Sequence, residues 1–97
     1  MLSKKEMRYL RGLSNQLKAQ YQLGKNEITD TFLDLLEKAL VAKEILKVHV
    51  LKSVNKEVTS LALSVAASLN ATVVETKGRT FTLYRQNTKE PKIKFPK

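Results

Sequence analysis

The stretch LGKNEIT, residues 23–29, is the point from which the rest of the chain can be interpreted. An apolar run over residues 19–23 leads into it and predicts a short strand, whereas Thr29 and Asp30 carry the signals of a helix start. Backbone N–H groups at a helix start are unpaired and can hold a phosphate oxygen, and Lys25 adds a full positive charge beside them. An ordinary strand-to-helix turn, in which glycine and asparagine serve only backbone geometry, is the alternative interpretation.

Positive charge is concentrated at the two ends of this 97-residue chain, whose net charge is +9. Residues 1–26 carry six basic side chains and one acidic, and residues 77–97 carry seven and one. Residues 27–44, in contrast, carry five acidic side chains and two basic. A chain charged only for solubility does not need this segregation. The pattern therefore indicates a polyanionic partner that contacts both ends and avoids the middle.

The first predicted helix begins at Ser3, where Glu6 completes a capping box, and runs to about residue 18. At 100° per residue one side of it is apolar, with Tyr9, Leu10, Leu13 and Leu17. The opposite side is a polar stripe of Lys4, Arg8, Arg11, Asn15 and Lys18. A solvated face usually mixes both signs of charge, and this stripe contains no acid. The stripe is therefore either an ordinary solvated face or a surface that faces a polyanion.

The second predicted helix has an acidic outer face. It begins at Thr29 and places Asp30, Asp34 and Glu37 opposite its apolar side. We expect this face to repel nucleic acid, so that only the N-terminal tip of the helix contacts RNA. The later segments are predicted as a strand over residues 45–51, a core helix over 55–69, and a hairpin of two strands over 72–77 and 80–85.

The resulting order, α-β-α-β-α-β-β, predicts an α/β fold with a four-stranded mixed sheet and three helices. Strands separated by helices are expected to pair in parallel, and the last two strands to pair antiparallel. Residues 1–85 form the predicted single domain. Residues 86–97 are predicted to be a mobile basic tail, with some order at Ile93 and Phe95.

Composition argues against catalytic and metal chemistry. The chain has no cysteine, which removes disulfides, thiol nucleophiles and cysteine-based metal sites. His49 is its only histidine, so a metal site or a catalytic relay is not expected there. We expect no cofactor and no small-molecule substrate. Because no apolar run reaches the length of a membrane span and no signal-peptide pattern is present, we expect a cytoplasmic protein without a membrane partner.

Several short motifs occur in an order and spacing that resemble one known family. They are Tyr9-Leu10-Arg11-Gly12-Leu13, Leu17-Lys18, Leu23-Gly24-Lys25-Asn26, Glu44-Ile45-Leu46-Lys47-Val48, Gly78-Arg79 and Leu83-Tyr84-Arg85. The family is the CRM (chloroplast RNA splicing and ribosome maturation) domain, in its bacterial single-domain YhbY type. The resemblance implies a fold similar to the C-terminal domain of translation initiation factor three. It also implies RNA binding during assembly of the large ribosomal subunit.

The same resemblance implies that the loop is a GxxG phosphate clamp, comparable to that of KH domains. Gly24, Lys25 and Asn26 fit the clamp, but Glu27 stands where the family has glycine. Glutamate adds strain there if the position needs a positive φ. Its carboxylate also competes with a phosphate for the N–H groups of the helix start. If that competition operates, Glu27→Gly should tighten RNA binding.

The leading hypothesis is a non-enzymatic RNA-binding protein that assists assembly of the large (50S) ribosomal subunit precursor. Its predicted RNA-binding residues are Lys4, Arg8, Arg11, Lys18, Gly24, Lys25, Asn26, Glu27, Arg79 and Arg85. Arg79 and Arg85 belong to the site only if the fold brings them to the side of the first helix. The alternatives are a protein-interaction module and another translation-associated RNA-binding protein. Membrane-surface binding is disfavoured, because the core needs the apolar side of the first helix.

Overall fold

Helices and strands alternate along the chain in the computed structural model, which describes residues 2–24 and 28–95. In chain order they are α1 (Lys4–Gln16), β1 (Tyr21–Leu23), α2 (Asp30–Lys43), β2 (Ile45–Val50), α3 (Val58–Leu69), β3 (Thr72–Lys77) and β4 (Thr80–Tyr84). This order confirms the predicted fold of three helices and a four-stranded mixed sheet over the described residues. The predicted clamp residues Lys25, Asn26 and Glu27 lie outside them.

The strands form a mixed sheet in the order β1-β2-β4-β3. β1 and β2 pair in parallel, as expected for strands joined through a helix, and β4 pairs antiparallel with both β2 and β3. The expectation that β2 and β3 also pair in parallel is wrong, because the hairpin folds β4 back between them. Gly78 permits that tight reversal, since its φ of 58° lies in the left-handed region that glycine adopts without strain.

The sheet separates two apolar layers. On one face, α2 and α3 cover the main core, whose buried strand residues include Leu46, Val48, Val50, Phe81 and Leu83. On the other face, α1 covers a smaller core of Leu10, Ile45, Val74 and Tyr84. Alternate residues of β2 therefore face opposite sides of the sheet, and the apolar layers on these two sides differ in size. As a result α1 lies on the opposite side of the sheet from the acidic helix α2.

The helix caps predicted from the sequence are found in the structure, although several element boundaries differ. Ser3 and Glu6 form the capping box of α1, the hydroxyl of Thr29 caps α2, and Asn70 ends α3 with a φ of 56°. Two helices are shorter than predicted, since α1 ends at residue 16 and α3 begins at residue 58. Strand ends differ from the prediction by one or two residues, which is the usual uncertainty of such boundaries.

The segment after β4 is bonded to the domain through Glu44. This residue ends α2 with a φ of 68° and is fully buried. Its carboxylate accepts hydrogen bonds from the backbone N–H groups of Asn87 (2.7 Å), Lys92 and Ile93 (2.6 Å). Three donors to one carboxylate satisfy a charge that would otherwise be costly to bury.

Aromatic contacts bring the end of the same segment to α1. The ring of Phe95 lies edge-on to Tyr9 and to Tyr84, with centroid distances of 5.8 and 6.0 Å. Ile93 packs in the same small core. Ile93 and Phe95, where some order was expected, thus pack against the domain, whereas the mobility predicted for residues 86–97 stays a prediction. The two basic ends of the chain therefore meet on the α1 side of the sheet.

Candidate nucleic-acid interface

The four cationic side chains predicted on the polar stripe of residues 4–18, here called the α1 segment, face solvent. Lys4, Arg8, Arg11 and Lys18 are all exposed, and the first three border one open hollow of about 370 Å³. Among residues 2–24 and 28–95, no acidic side chain forms an ion pair with any of the four. Glu6 is the acid of α1, and it is turned to the helix start, where it accepts the N–H of Ser3 at 2.9 Å. Within these ranges, the stripe predicted from the sequence is therefore a surface of positive charge without an acid partner.

Two contacts that sequence reasoning missed hold α1 in this orientation. Ser14 is fully buried, and its hydroxyl lies 2.6 Å from the hydroxyl of Thr82 on β4. The Lys47 ammonium on β2 donates to the carbonyl of Ser14 at 3.0 Å and to that of Leu17 at 3.3 Å. These carbonyls lie at the C-terminal end of α1, where the helix dipole also favours a cation. The apolar side of α1 is thus fixed on the sheet while its cations face outward.

The C-terminal end of α1 points toward the end of the sheet at which β1 stops. Leu10 shares a cluster with Ile45 at the start of β2, whereas Leu17 is bonded to Lys47, two residues further along. The end of β1 is bonded to Leu51, four residues beyond Lys47. At about 3.3 Å per residue, these four residues span about 13 Å. The C-terminal end of α1 and Gly24 therefore lie toward the same end of the sheet, whereas Glu6 in the first turn of α1 borders a hollow with Thr72 and Tyr84 at the other end.

The glycine at position 24 is not required by packing within the described residues. A methyl group added there would meet only Cδ1 of Leu51, at 3.5 Å, which is ordinary van der Waals contact. Its φ also lies outside the left-handed region, unlike that of Gly78. Neither space nor backbone strain among these residues explains the glycine. The roles predicted for Lys25, Asn26 and Glu27 stay predictions, since those residues lie outside the part of the chain that the structure describes.

Arg79 is engaged in the fold. Its guanidinium donates to the backbone carbonyls of Val50 (3.3 Å), Leu51 (2.8 Å) and Val54 (3.0 Å). These bonds join the hairpin turn to the segment that follows β2. Leu51 is also bonded to Leu23 at the end of β1, so Arg79 lies near Gly24. The donors of Arg79 are nevertheless directed at protein carbonyls.

Arg85 is also engaged, on the side of α2. Its guanidinium makes a bidentate pair with the Glu37 carboxylate, at 2.7 and 2.6 Å, and donates to the carbonyl of Leu69 at 2.8 Å. The hydrogen bonds of this pair lower the pKa of Glu37 and raise that of Arg85. Asp30 and Asp34 are exposed, as predicted for the outer face of α2, whereas Glu37 is paired with Arg85, the residue after β4.

No metal centre is evident among the described residues. They contain no group of three or more histidine, aspartate or glutamate side chains that could hold a metal ion. His49 is half-buried on β2. None of the described helices combines the length and the apolar composition needed to cross a bilayer.

Residues 2–85 match the model of the CRS1/YhbY (CRM) domain. The chain belongs to this family. Its fold is similar to the solution structure of the protein SAV1595 from Staphylococcus aureus, a candidate RNA-binding protein, with a TM-score of 0.80 and 28% identity. That alignment covers 99% of this chain and 100% of the other.

Two relatives align over nearly their full length. The "Probable RNA-binding protein YqeI" of Bacillus subtilis is 29% identical over 96 residues, which are 99% of this chain and 100% of the relative. An "RNA-binding protein" of Haemophilus influenzae is 33% identical over 97 residues, which are 99% of this chain and 96% of the relative. The resemblance described from the motifs is thus confirmed at the level of the family.

Proposed function

We propose that this protein binds structured ribosomal RNA in the precursor of the large ribosomal subunit, without catalysing a reaction. Lys4, Arg8, Arg11 and Lys18 contact backbone phosphates, and the loop that begins at Gly24 holds a further phosphate at the start of α2. Contacts of this kind supply affinity and position the protein rather than read sequence.

The observation that carries the proposal is the unneutralised positive charge of α1. A helix face that serves only solubility gains nothing from excluding acids, whereas a phosphate-binding face does. The docked C-terminal segment adds the exposed Lys94 to the same side of the sheet, whereas Lys92 forms an ion pair with Glu90 at 3.3 Å. The acidic residues Asp30 and Asp34 belong to α2, on the other side.

Relatives support RNA as the partner, since proteins that align over almost the whole chain are named RNA-binding proteins. The ribosomal RNA of the large-subunit precursor is the finer part of the proposal and follows from the family resemblance. A cytoplasmic location is proposed with it, from the sequence pattern alone.

The decisive variant reverses two charges of α1. Arg8→Glu/Arg11→Glu should lower affinity for structured ribosomal RNA on the order of 100-fold at low salt, because counterion release falls with each lost phosphate contact. The slope of log affinity against log salt should fall by about two. Lys38→Glu/Lys43→Glu makes the same change in net charge on α2, and its affinity should stay within about threefold of wild type. Equal affinity of both variants and wild type, measured by fluorescence anisotropy, would remove α1 from the interface.

Sedimentation through a sucrose gradient tests the assignment to the ribosome. The protein should migrate with large-subunit precursors, and treatment with ribonuclease should release it. Migration with a particle that survives ribonuclease would instead indicate a protein-interaction module.

A further inference from the structure

A row of polar side chains crosses the sheet, beginning two residues before Gly24. The strand register aligns Gln22 on β1 with His49 on β2, His49 with Thr80 on β4, and Thr80 with Lys77 on β3. Aligned residues of neighbouring strands project from the same face of a sheet. With strands about 4.8 Å apart, these four side chains, here called the polar row, extend over about 14 Å.

The polar row lies on the α1 face of the sheet, beyond the end of the helix. Lys47 and Thr82 contact the C-terminal part of α1, and His49 and Thr80 are two residues from them on the same strands, so they project to the same face. No described segment encloses the row. Gln22 and Lys77 at its ends are exposed, and the two middle residues are half-buried.

The side chains of the polar row have unused hydrogen-bonding capacity. Among the described residues, none donates to or accepts from the side chain of Gln22, His49 or Lys77, and the hydroxyl of Thr80 donates to the carbonyl of Lys77 at 2.8 Å. The neighbouring acid on this face of β3 is Glu75, which aligns with Thr82 beside α1 rather than with the row. The row therefore offers an amide, an imidazole, a hydroxyl and one ammonium group without an acid.

We propose that the polar row binds a short single-stranded segment of the RNA, an inference that rests on the proposed function. Amide and hydroxyl groups form hydrogen bonds with base edges and ribose 2′-hydroxyls, and an imidazole stacks on an unpaired base. Exposed sheet surfaces bind two or three unstacked nucleotides in other RNA-binding domains. Because three of the four groups carry no obligatory charge, the row complements the phosphate contacts of α1.

The polar row begins beside the link between α1 and β1. Gln22 lies two residues before Gly24, and Lys18 lies at the start of the link from α1 to β1. The N–H of Gln20 in this link is bonded to the carbonyl of Lys47, so the link follows the edge of the sheet next to the row. An RNA strand that contacts both Lys18 and Gly24 therefore passes Gln22, at one end of the polar row.

The test compares a row variant with a matched control. Gln22→Ala/His49→Ala removes one exposed and one half-buried side chain that form no hydrogen bond within the described ranges, and should leave the circular dichroism spectrum and melting temperature near wild type. It should weaken binding to RNA with a single-stranded segment on the order of 10-fold, with the salt slope unchanged, and should leave binding to fully double-stranded RNA unchanged. Thr59→Ala/Ser64→Ala, which alters exposed polar residues of α3, should bind both RNAs as wild type does.

The outcomes separate this inference from the proposed function. If Gln22→Ala/His49→Ala binds both RNAs as tightly as wild type, while Arg8→Glu/Arg11→Glu binds weakly, the polar row is overturned and the α1 surface stands. If the row variant loses affinity for both RNAs with a lower salt slope, its contacts are phosphate contacts and the single-stranded segment is overturned. If wild type binds neither RNA, both proposals fail.

Discussion

The basic residues predicted to bind RNA fall into two regions with opposite surroundings. Those of the α1 segment, Lys4, Arg8, Arg11 and Lys18, are exposed and have no acid partner within the described residues. Arg79 and Arg85, in contrast, donate to protein carbonyls and to a carboxylate. To reach a phosphate, the second pair would first have to give up bonds worth about 1.5–3 kcal/mol each. A count of charges in the sequence therefore overstates the charge that a partner can use.

This difference gives the two regions different expected phenotypes. Changes in the α1 segment should alter RNA affinity and its salt dependence while leaving stability almost unchanged. Changes in the charged residues that are bonded within the fold, here called the bonded charges, should alter stability while leaving the salt dependence of RNA binding unchanged. They are Glu37, Glu44, Arg79 and Arg85. Arg79 and Arg85 stay predicted RNA contacts until these two phenotypes are measured. The following variants test whether the two regions differ in this way.

The largest effect on stability is expected at Glu44, the buried member of the bonded charges. Glu44→Gln replaces one acceptor oxygen by a donor amide that faces backbone N–H groups of the C-terminal segment. Leaving such groups unpaired in the interior should lower the free energy of unfolding by about 2–4 kcal/mol. Urea denaturation measures the loss, and trypsin should cleave faster after Lys89 and Lys92. The control is Asp34→Asn, an exposed acid on the same helix, and stability of Glu44→Gln equal to this control would contradict the docked tail.

A smaller loss of stability is expected at Arg79, which can be compared directly with Arg11 of the α1 segment. Arg79→Ala removes three hydrogen bonds to backbone carbonyls and should lower the free energy of unfolding by about 2 kcal/mol. The salt slope of RNA binding should not change. Arg11→Ala should do the reverse, with stability within about 0.5 kcal/mol of wild type and a salt slope lower by about one. A lower salt slope for Arg79→Ala would move Arg79 into the RNA-binding surface.

The smallest effect is expected at the Glu37–Arg85 pair, and it depends on pH. The hydrogen bond from Arg85 lowers the pKa of Glu37 in the folded protein below its ordinary value of 4.5. Stability from this pair is therefore fully present above that value and is lost as the pH falls through the folded pKa. Glu37→Gln should be less stable than wild type at neutral pH, and the difference should narrow in acid. A difference that stays constant from neutral to acid pH would mean that the pair does not couple protonation to folding.

Local periodicity was sufficient to predict the elements of this fold. The capping box at Ser3 and Glu6, the cap at Thr29 and the stop at Asn70 all use interactions within a few residues, and all are found in the structure. Strand order needed more than this, because the position of β4 between β2 and β3 is decided by the pairing of distant strands.

Long-range partners account for what could not be predicted about the candidate site. Glu44 looked like part of the acidic segment, and its role depends on backbone N–H groups more than forty residues later. The partners of Arg79 and Arg85 are likewise distant in sequence. Ser14 gave the one usable signal, since it stands four residues after Leu10 on the side of α1 that faces the sheet.

The proposed RNA surface comprises the α1 side of the sheet and the loop that begins at Gly24. An NMR titration of the ¹⁵N-labelled protein with structured ribosomal RNA, observed through backbone amide shifts, tests it directly. We expect the amides of residues 4–18 and of Gly24 to shift, while those of α2 beyond its first turn and of α3 do not. Shifts confined to α2 and α3 would contradict it.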